Sequence, residues 1–311
     1  MKAVKVSLIL LCVALFLNAC TKDDPVPENQ PPVVNAGHDT TIRLNNTQKD
    51  TLLLSGSATD RDGKVVGYVW SQLSGPNSAK ILYAASPVTK VSGIISGQYV
   101  FQLMATDDKG ATGVKSVTVT VLAPEVITLT LQPANNPTES SVYSYVPNGT
   151  GVGGPQLAIG TWTDNGSTAI NRTYLKFNYT VPAGATIVSA KLSLYANPNP
   201  KAGNFVDAHY GISNSFMIQR ITSAWSGSTI SWNNQPSTST TNQLIIPNST
   251  SSFENNIDIN VTQLVTDMQQ YGNNGFAMRL LTESIYNIRQ YVSSYNGDVA
   301  KYPKLVIQYS N

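Results

Sequence analysis

The amino-acid sequence predicts an all-β protein that contains two consecutive β-sandwiches. Its 311 residues exceed the length of one typical domain and suit two hydrophobic cores. Only 12% of the residues are charged, and short apolar segments of alternating polarity recur between turns rich in Gly, Asn and Asp. This pattern is typical of short, half-buried strands and argues against a helical fold.

Residues 1–19 form a predicted secretory signal. Lys2 and Lys5 precede an apolar run over residues 6–17, which is too short to span a bilayer. The run ends at Leu17-Asn18-Ala19-Cys20, which resembles the lipobox of bacterial lipoproteins. The resemblance implies cleavage before Cys20 and attachment of lipid to that cysteine. The alternative is an ordinary signal peptide that happens to precede a cysteine.

Residues 20–32 are predicted to form an extended tether, since they contain four prolines among mostly polar residues. Thr21-Lys22-Asp23-Asp24 resembles the signal that directs some Gram-negative lipoproteins to the outer face of the outer membrane. A solvated tether explains the same four residues. We expect a protein that is anchored by lipid in the outer membrane and exposed at the cell surface.

The charge balance argues against a nucleic-acid partner. Without residues 1–19 the chain carries eighteen basic and eighteen acidic residues, and the basic ones form no cluster. Binding to nucleic acid requires a basic patch or stripe. We therefore expect no nucleic acid among the partners.

Residues 33–122 are predicted to form the first sandwich. Tyr99, Phe101, Leu103 and Ala105 fall on alternate positions of one segment, as do Val117, Val119 and Val121 of another. Five successive motifs resemble those of PKD-type, immunoglobulin-like domains: Pro31–Gly37, Gly56–Gly63, Tyr68–Trp70, Gly97–Phe101 and Thr106–Gly110. The resemblance implies a spacer or adhesion module without catalysis, and it places Trp70 in the core.

A structural calcium ion is the one cofactor that the sequence suggests. Asp60, Asp62 and Asp107, with Asp108 beside them, supply carboxylates from two turns, and carboxylates suit a hard cation. The alternative is that Asp60 and Asp107 close their own turns through hydrogen bonds to the backbone. The spacing also lacks the late glutamate of a dedicated calcium loop.

Residues 126–311 are predicted to form the second, larger sandwich. In the segment from Val188 to Tyr195, the apolar Val188, Ala190, Leu192 and Leu194 occupy one face of a strand. One short helix is expected where Thr262 can cap an apolar face of Leu264, Val265, Met268 and Tyr271, with Gly272 at its end.

Six segments of this region resemble, in order and spacing, the DNRLRE domains: Arg172–Phe177, Ala183–Tyr195, Ile218–Pro236, Ile257–Thr262, Asn274–Arg279 and Pro303–Ile307. The resemblance implies a jelly-roll sandwich related to carbohydrate-binding modules, some of which recognise acidic polysaccharides. The expected partner is an extracellular polysaccharide or other glycan. However, residues after Glu125 include nine basic and eight acidic ones, so only a local patch could attract a polyanion.

The candidate glycan face consists of basic residues on alternating segments and one aromatic ring: Arg172, Lys176, Arg279, Arg289 and Tyr291. Solvated surface charges would give the same alternation. Trp162, Tyr210, Tyr286 and Tyr295 lie in polar, turn-rich segments where a ring could also remain exposed. Trp225 and Trp232 are expected to cover the end of the core, because large aromatic residues are usually well buried.

We expect no enzymatic activity. The two histidines, His38 and His209, fall in different predicted domains, and no nucleophilic triad or metal-ligand motif is visible. Asp164, Asp207 and Glu283 are candidates for a carboxylate pair that cleaves polysaccharide only because distant strands can supply such pairs. A third interpretation is adhesion, or assembly with another envelope protein.

Overall fold

The computed structural model describes residues 28–45, 51–133, 138–200 and 206–311. The predicted signal at 1–19, the lipid site at Cys20 and most of the tether lie outside these ranges. Within them, no helix is both long and apolar enough to cross a membrane. The described chain divides into two compact units, the first formed by residues 28–42 and 51–121 and the second by 43–45 and the described residues after 121. Strands dominate both units, so the predicted all-β class is confirmed.

The first unit contains short strands arranged in several sheets. Its strands are β1 (Val33–Asn35), β2 (Thr40–Arg43), β3 (Thr51–Ser55), β4 (Ser57–Thr59), β5 (Val65–Ser74), β6 (Lys80–Ile81), β7 (Val88–Ser92), β8 (Gly97–Asp107) and β9 (Thr112–Leu122). One sheet has the order β2-β9-β8-β5, a second has β3-β7-β6, and β1 pairs with β4.

Strand β8 supplies the centre of the first core. Tyr99, Phe101, Leu103 and Ala105 are each fully buried, which confirms the alternation predicted from the sequence. Trp70 of β5 is also buried, and its indole nitrogen donates a hydrogen bond to the carbonyl of Pro87. The core is therefore built from alternate side chains of paired strands.

In its described residues, the second unit contains one α-helix and two sheets, of four and eight strands. Its elements are β10 (Val126–Leu131), β11 (Glu139–Tyr143), β12 (Gln156–Asp164), β13 (Ser167–Leu175), β14 (Thr186–Leu194), β15 (His209–Tyr210), β16 (Phe216–Ile221), β17 (Thr238–Ile246), β18 (Asn256–Asn260), α1 (Thr262–Tyr271), β19 (Phe276–Leu280), β20 (Asn287–Val292) and β21 (Lys304–Ser310). Two 3-10 turns cover Trp232–Asn234 and Val299–Lys301.

These strands form a β-sandwich with one main core. One sheet has the order β10-β21-β14-β18, and the other has β15-β20-β12-β13-β19-β16-β17, with β11 paired to β13. Leu192 and Leu305 of the first sheet share a buried cluster with Leu175 and Phe216 of the second. Interdigitation of the inner faces of two sheets is how such a fold buries apolar area.

Two local predictions need correction. The pairing of β14 with β21 shifts register between Ile187 and Ser189, so Ile187 is buried and Val188 is 48% exposed. A bulge of this kind places two consecutive residues against one partner and breaks the alternation.

The second correction concerns α1, where Leu264, Val265 and Met268 are buried as expected. Tyr271 is 63% exposed, because its ring leaves the core and lies under the guanidinium of Arg220. Thr262 does not cap the helix: its hydroxyl accepts a hydrogen bond from the backbone nitrogen of Ala190 in β14, at 2.9 Å.

Candidate functional site

Four neighbouring strands of the larger sheet carry an open groove of about 240 Å³, which we call the arginine groove. Strand β13 pairs with β19, β19 with β16, and β16 with β17, so their side chains meet on one surface. The groove is lined by Arg172, Tyr174, Gln219, Gln235, Pro236, Thr238, Ala277, Met278 and Arg279. Two of the five residues predicted from the sequence therefore lie together.

Arg172 is held in a fixed orientation on one side of this groove. Its Nε and Nη2 donate to the two carboxylate oxygens of Glu283 at 2.7 and 2.9 Å, and its Nη1 donates to Oε1 of Gln235 at 2.9 Å. The guanidinium also lies over the Trp232 ring, 4.6 Å from the centroid. The hydrogen bond to Glu283 raises the pKa of Arg172. This geometry is a bidentate ion pair with a cation–π contact.

Gln235 joins Arg172 to the rest of the groove. Its Oε1 also accepts a hydrogen bond from the Tyr174 hydroxyl at 2.7 Å, and its Nε2 donates to the Trp232 carbonyl at 2.8 Å. Burial raises the pKa of Tyr174 to about 12, so the phenol keeps its proton and remains a donor. Neither Gln235 nor Tyr174 is among the candidates predicted from the sequence, although Gln235 belongs to the Asn-Asn-Gln-Pro end of the Ile218–Pro236 motif.

The two tryptophans of that motif support the groove from beneath. Trp225 and Trp232 are partly buried against a second apolar cluster that contains Val142, Tyr174 and Ile230. The indole nitrogen of Trp225 donates to the carbonyl of Asn274 at 2.7 Å. Both rings thus cover a small apolar cluster that is separate from the main core, and each is only partly buried.

Arg279 differs from Arg172 in having no compensating partner. Its side chain is half buried and lines the same groove. Within the described ranges, no carboxylate forms an ion pair with it and no hydrogen bond to its side chain is present. Lys176, by contrast, does not line the groove. Arg279 is thus a cation available to a ligand.

The outward orientation predicted for Arg289 and Tyr291 is wrong, because both side chains are fully buried. Nη2 of Arg289 donates to the carbonyl of Pro247 at 2.9 Å, and its guanidinium lies over the ring of Phe216. The Tyr291 hydroxyl donates to Asn256. Strand β20 lies between β15 and β12, and all six of its residues are buried. Alternation of polar and apolar residues therefore does not report exposure on this strand.

A second, larger cavity of about 660 Å³ lies at loops of the same unit, and we call it the aromatic pocket. Its lining includes Asp207, His209, Tyr210, Gly211, Ile212, residues 249–252, Ile285, Tyr286 and Asn287. The Trp162 ring packs edge-on against Tyr210 and Tyr286, with centroid distances of 5.6 and 4.7 Å. The structure thus brings together three of the aromatic residues that the sequence places in turn-rich segments.

The aspartates proposed for calcium are engaged mainly by groups of the protein. Asp107 accepts hydrogen bonds from the backbone nitrogens of Lys109 and Ala111 at 2.9 and 2.8 Å, and Asp62 forms an ion pair with Lys109 at 3.0 Å. Oδ1 of Asp60 accepts from the backbone of Asp62. In the described part of the chain, no group of three His, Cys, Asp or Glu residues is arranged to hold a metal ion. The contacts fit turn closure, and calcium binding stays a prediction.

The carboxylates considered for polysaccharide cleavage are not gathered in one cavity. Asp207 lines the aromatic pocket, and neither Asp164 nor Glu283 lines either of the two cavities described above. Both oxygens of Glu283 are engaged by Arg172. A general acid with a matching base requires two such groups facing one substrate.

Comparison with known proteins identifies the domain family that each unit matches. Residues 36–121 match the family model described as K319L-like, PKD domain. The chain is 38% identical over 96 residues to dyslexia-associated protein KIAA0319-like protein of Mus musculus, which covers 30% of this chain and 9% of that protein. The KIAA0319 homolog of Rattus norvegicus is 37% identical over 95 residues, or 30% of this chain and 8% of that protein. The chain therefore spans less than a tenth of the length of these relatives.

Among solved structures, the PKD domain from KIAA 1837 protein is 30% identical with a TM-score of 0.27, covering 32% of this chain and 93% of that domain. Residues 153–309 match the model for carbohydrate-binding module family 96. PKD domains and carbohydrate-binding modules are non-catalytic kinds of domain, and the second match spans half of the sequence. The chain belongs to carbohydrate-binding module family 96, with a PKD domain preceding the module.

Proposed function

We propose that this protein is a non-catalytic surface lipoprotein that binds an extracellular acidic carbohydrate in the arginine groove, with the PKD domain as a spacer. The observation that carries the proposal is Arg279, a half-buried cation without an ion-pair partner in the described chain. A uronate carboxylate would supply the missing charge and two acceptor oxygens. Membership of a carbohydrate-binding module family supports a glycan as the ligand.

The rest of the groove suits the hydroxyl groups of the same sugar. Thr238 keeps a hydroxyl oxygen that can accept a hydrogen bond from a sugar, while its own proton is donated to Oε1 of the buried Gln219 at 3.0 Å. Tyr174 lines the same groove as the two arginines. Because Arg172 is fixed by Glu283 and Gln235, a ligand that contacts it does not have to immobilise a flexible side chain. Such preorganisation reduces the entropic cost of binding.

Glycan binding is tested with the full-length protein purified in detergent and titrated calorimetrically with oligogalacturonide and oligoalginate. We expect Arg279→Ala to weaken binding by about tenfold or more, because a hydrogen-bonded ion pair contributes about 1.5 to 3 kcal/mol. Lys176→Ala is the matched control, since this basic residue lies outside the groove, and it should bind as the wild type does. If Arg279→Ala and Lys176→Ala lost the same affinity, or if Arg279→Ala bound as the wild type does, the arginine groove would not be the binding site.

The surface location depends on Cys20 and the tether at 20–32. The lipobox-like sequence supports lipid attachment, and the proline-rich tether supports a folded part held away from the membrane. In cells grown with labelled palmitate, the wild type should carry label and be degraded by external protease. Cys20→Ala should carry no label. A labelled protein that protease cannot reach would place the anchor on the inner side of the membrane.

A second candidate function is adhesion to another envelope protein through the first unit. Val69, Met104 and Val114 are cross-strand neighbours on β5, β8 and β9, and Val69 and Val114 are 44% and 56% exposed. A row of exposed apolar side chains favours a protein surface as its partner. Cross-linking in intact cells should lose a specific adduct when Val69 and Val114 are both replaced by Ser, and an unchanged pattern would argue against this candidate.

A further inference from the structure

We infer that the aromatic pocket is a second glycan site, which binds the apolar face of an uncharged pyranose. The inference rests on the proposed carbohydrate-binding function but not on the arginine groove, since the two cavities share no lining residue. Sugar-binding sites combine a flat aromatic surface for the ring carbons with a few polar groups for the hydroxyls. The pocket provides both.

The aromatic surface is exposed and fixed in position before any ligand arrives. Tyr210 and Tyr286 are 49% and 47% exposed, although each packs against Trp162. The two interplanar angles are 75° and 77°, which is the edge-to-face geometry that aromatic pairs prefer. A sugar that stacks on either tyrosine therefore meets a ring whose rotation is already restricted.

The backbone around the two tyrosines is strained. Tyr286 has a φ of 63°, an uncommon conformation for a bulky side chain. Gly211, directly after Tyr210, has a φ of 90°, and a Cβ atom there would lie 2.3 Å from the carbonyl oxygen of Tyr286. Strain of this kind clusters at binding sites, where surrounding contacts maintain it. Here it brings the loops that carry the two rings against each other.

The charges at the pocket select against an acidic sugar. Among the described residues of its lining, Asp207 is the only carboxylate and none is Lys or Arg. Burial lowers the pKa of His209, so this histidine is neutral near pH 7. A uronate would meet the charge of Asp207, and Arg289, the cation near His209, is fully buried and does not line the pocket. A neutral hexose or pentose would instead find a hydroxyl acceptor in Asp207. Ser251 and Ser252 add two hydroxyls at the same opening.

The test is calorimetric titration of the full-length protein in detergent with cellohexaose, xylohexaose and mannohexaose. At least one of these neutral oligosaccharides should bind, and the Tyr210→Ala and Tyr286→Ala variants should each bind it about tenfold or more weakly, as expected for a central aromatic contact. Tyr83→Ala is the matched control, because this tyrosine is 70% exposed in the other unit. Its affinity should equal that of the wild type.

Three outcomes separate this inference from the proposed function. Loss of neutral-sugar binding in the tyrosine variants, with oligogalacturonide or oligoalginate binding retained, supports two sites. Loss of neutral-sugar binding in Arg279→Ala but not in the tyrosine variants overturns the inference and leaves the groove as the sole site. Binding of none of the three neutral oligosaccharides by the wild type also overturns it. Because either tyrosine could support the fold, the melting temperature of each variant is measured, and a variant that unfolds early is replaced by Tyr210→Leu or Tyr286→Leu, which keeps apolar volume without a flat ring and should still lose binding.

Discussion

The arginine groove and the aromatic pocket are positioned by opposite means. In the groove, the polar atoms of Glu283 and Gln235 hold Arg172 through hydrogen bonds. In the pocket, ring edges and a strained turn hold Tyr210 and Tyr286, and no arginine or lysine is present in the described lining. One sandwich can therefore carry a polar recognition surface whose side chains are ordered by hydrogen bonds and an apolar one whose rings are ordered by packing.

The largest effect should come from breaking the network that orders the groove. Arg172→Ala leaves the half-buried carboxylate of Glu283 without a donor, whereas Gln235 keeps the hydrogen bond from Tyr174, so we expect a loss of about 2 to 3 kcal/mol in the free energy of unfolding. Urea denaturation measures the loss. The control is Lys191→Ala, which removes an exposed pair with Asp258 at 3.6 Å and should change stability by less than about 1 kcal/mol. Similar losses of unfolding free energy in Arg172→Ala and Lys191→Ala would show that the hydrogen bonds of Arg172 contribute no more stability than an exposed ion pair.

A smaller loss is expected from disturbing the turn that orders the pocket. Gly211→Ala forces a Cβ against the carbonyl of Tyr286 at a positive φ, which should cost about 2 kcal/mol. Gly297→Ala has a similar φ of 92° but no atom within 4 Å, so it should cost only about 1 kcal/mol. The difference between the unfolding free energies of the two variants, measured by denaturation, gives the cost of the contact between the added Cβ and the Tyr286 carbonyl. Neutral-sugar binding should fall only in Gly211→Ala.

Salt should separate the two sites without any mutation. Binding of an oligouronate to the groove should weaken severalfold between about 0.05 and 0.5 M NaCl, because ions screen the charge of Arg279. Binding of a neutral oligosaccharide to the aromatic pocket should stay constant over the same range. Calorimetric titrations at several salt concentrations measure both. A parallel decline would indicate that both ligands use the groove.

The smallest effect should appear on mild acidification and should concern the pocket. Burial lowers the pKa of His209 below its usual 6.5, and nearby Arg289 lowers it further. As the pH falls, the unfolded chain therefore binds this proton before the folded protein does. The contribution of neutral His209 to the free energy of unfolding is fully present above about pH 6.5, and it is lost as the pH falls through the lower pKa of the folded state. Unfolding free energies measured from pH 7.5 to 5 should show this slope, and His209→Gln should reduce it.

Much of the fold follows from the period of two in the strands. Tyr99 to Ala105 are buried at alternate positions because β8 has one interior face and no bulge within that segment. The same rule fails at Val188, where a shift in register turns the side chain outward. Pairing with a strand distant in sequence determines such a shift, so local periodicity does not contain it.

The candidate site was predictable only in part. Arg172 and Arg279 lie on paired strands and line one groove, as their polarity among apolar neighbours suggested, and their role in glycan binding stays a prediction. Arg289 shows the same pattern but lies inside a sheet covered on both sides, and only the strand order reveals that. The pocket depends on loops around Tyr210 and Tyr286 that are far apart in sequence, and composition alone does not show that they meet.

Gln235 belongs to a loop, whereas the arginine that it orients belongs to a strand. A substitution or length change between β16 and β17 would redirect the guanidinium of Arg172 and leave the pairing of β13 unaltered. The ligand preference of this module can therefore diverge among related proteins through a segment that takes no part in the pairing of β13. Comparison of such proteins should find variation in sugar preference concentrated in that loop.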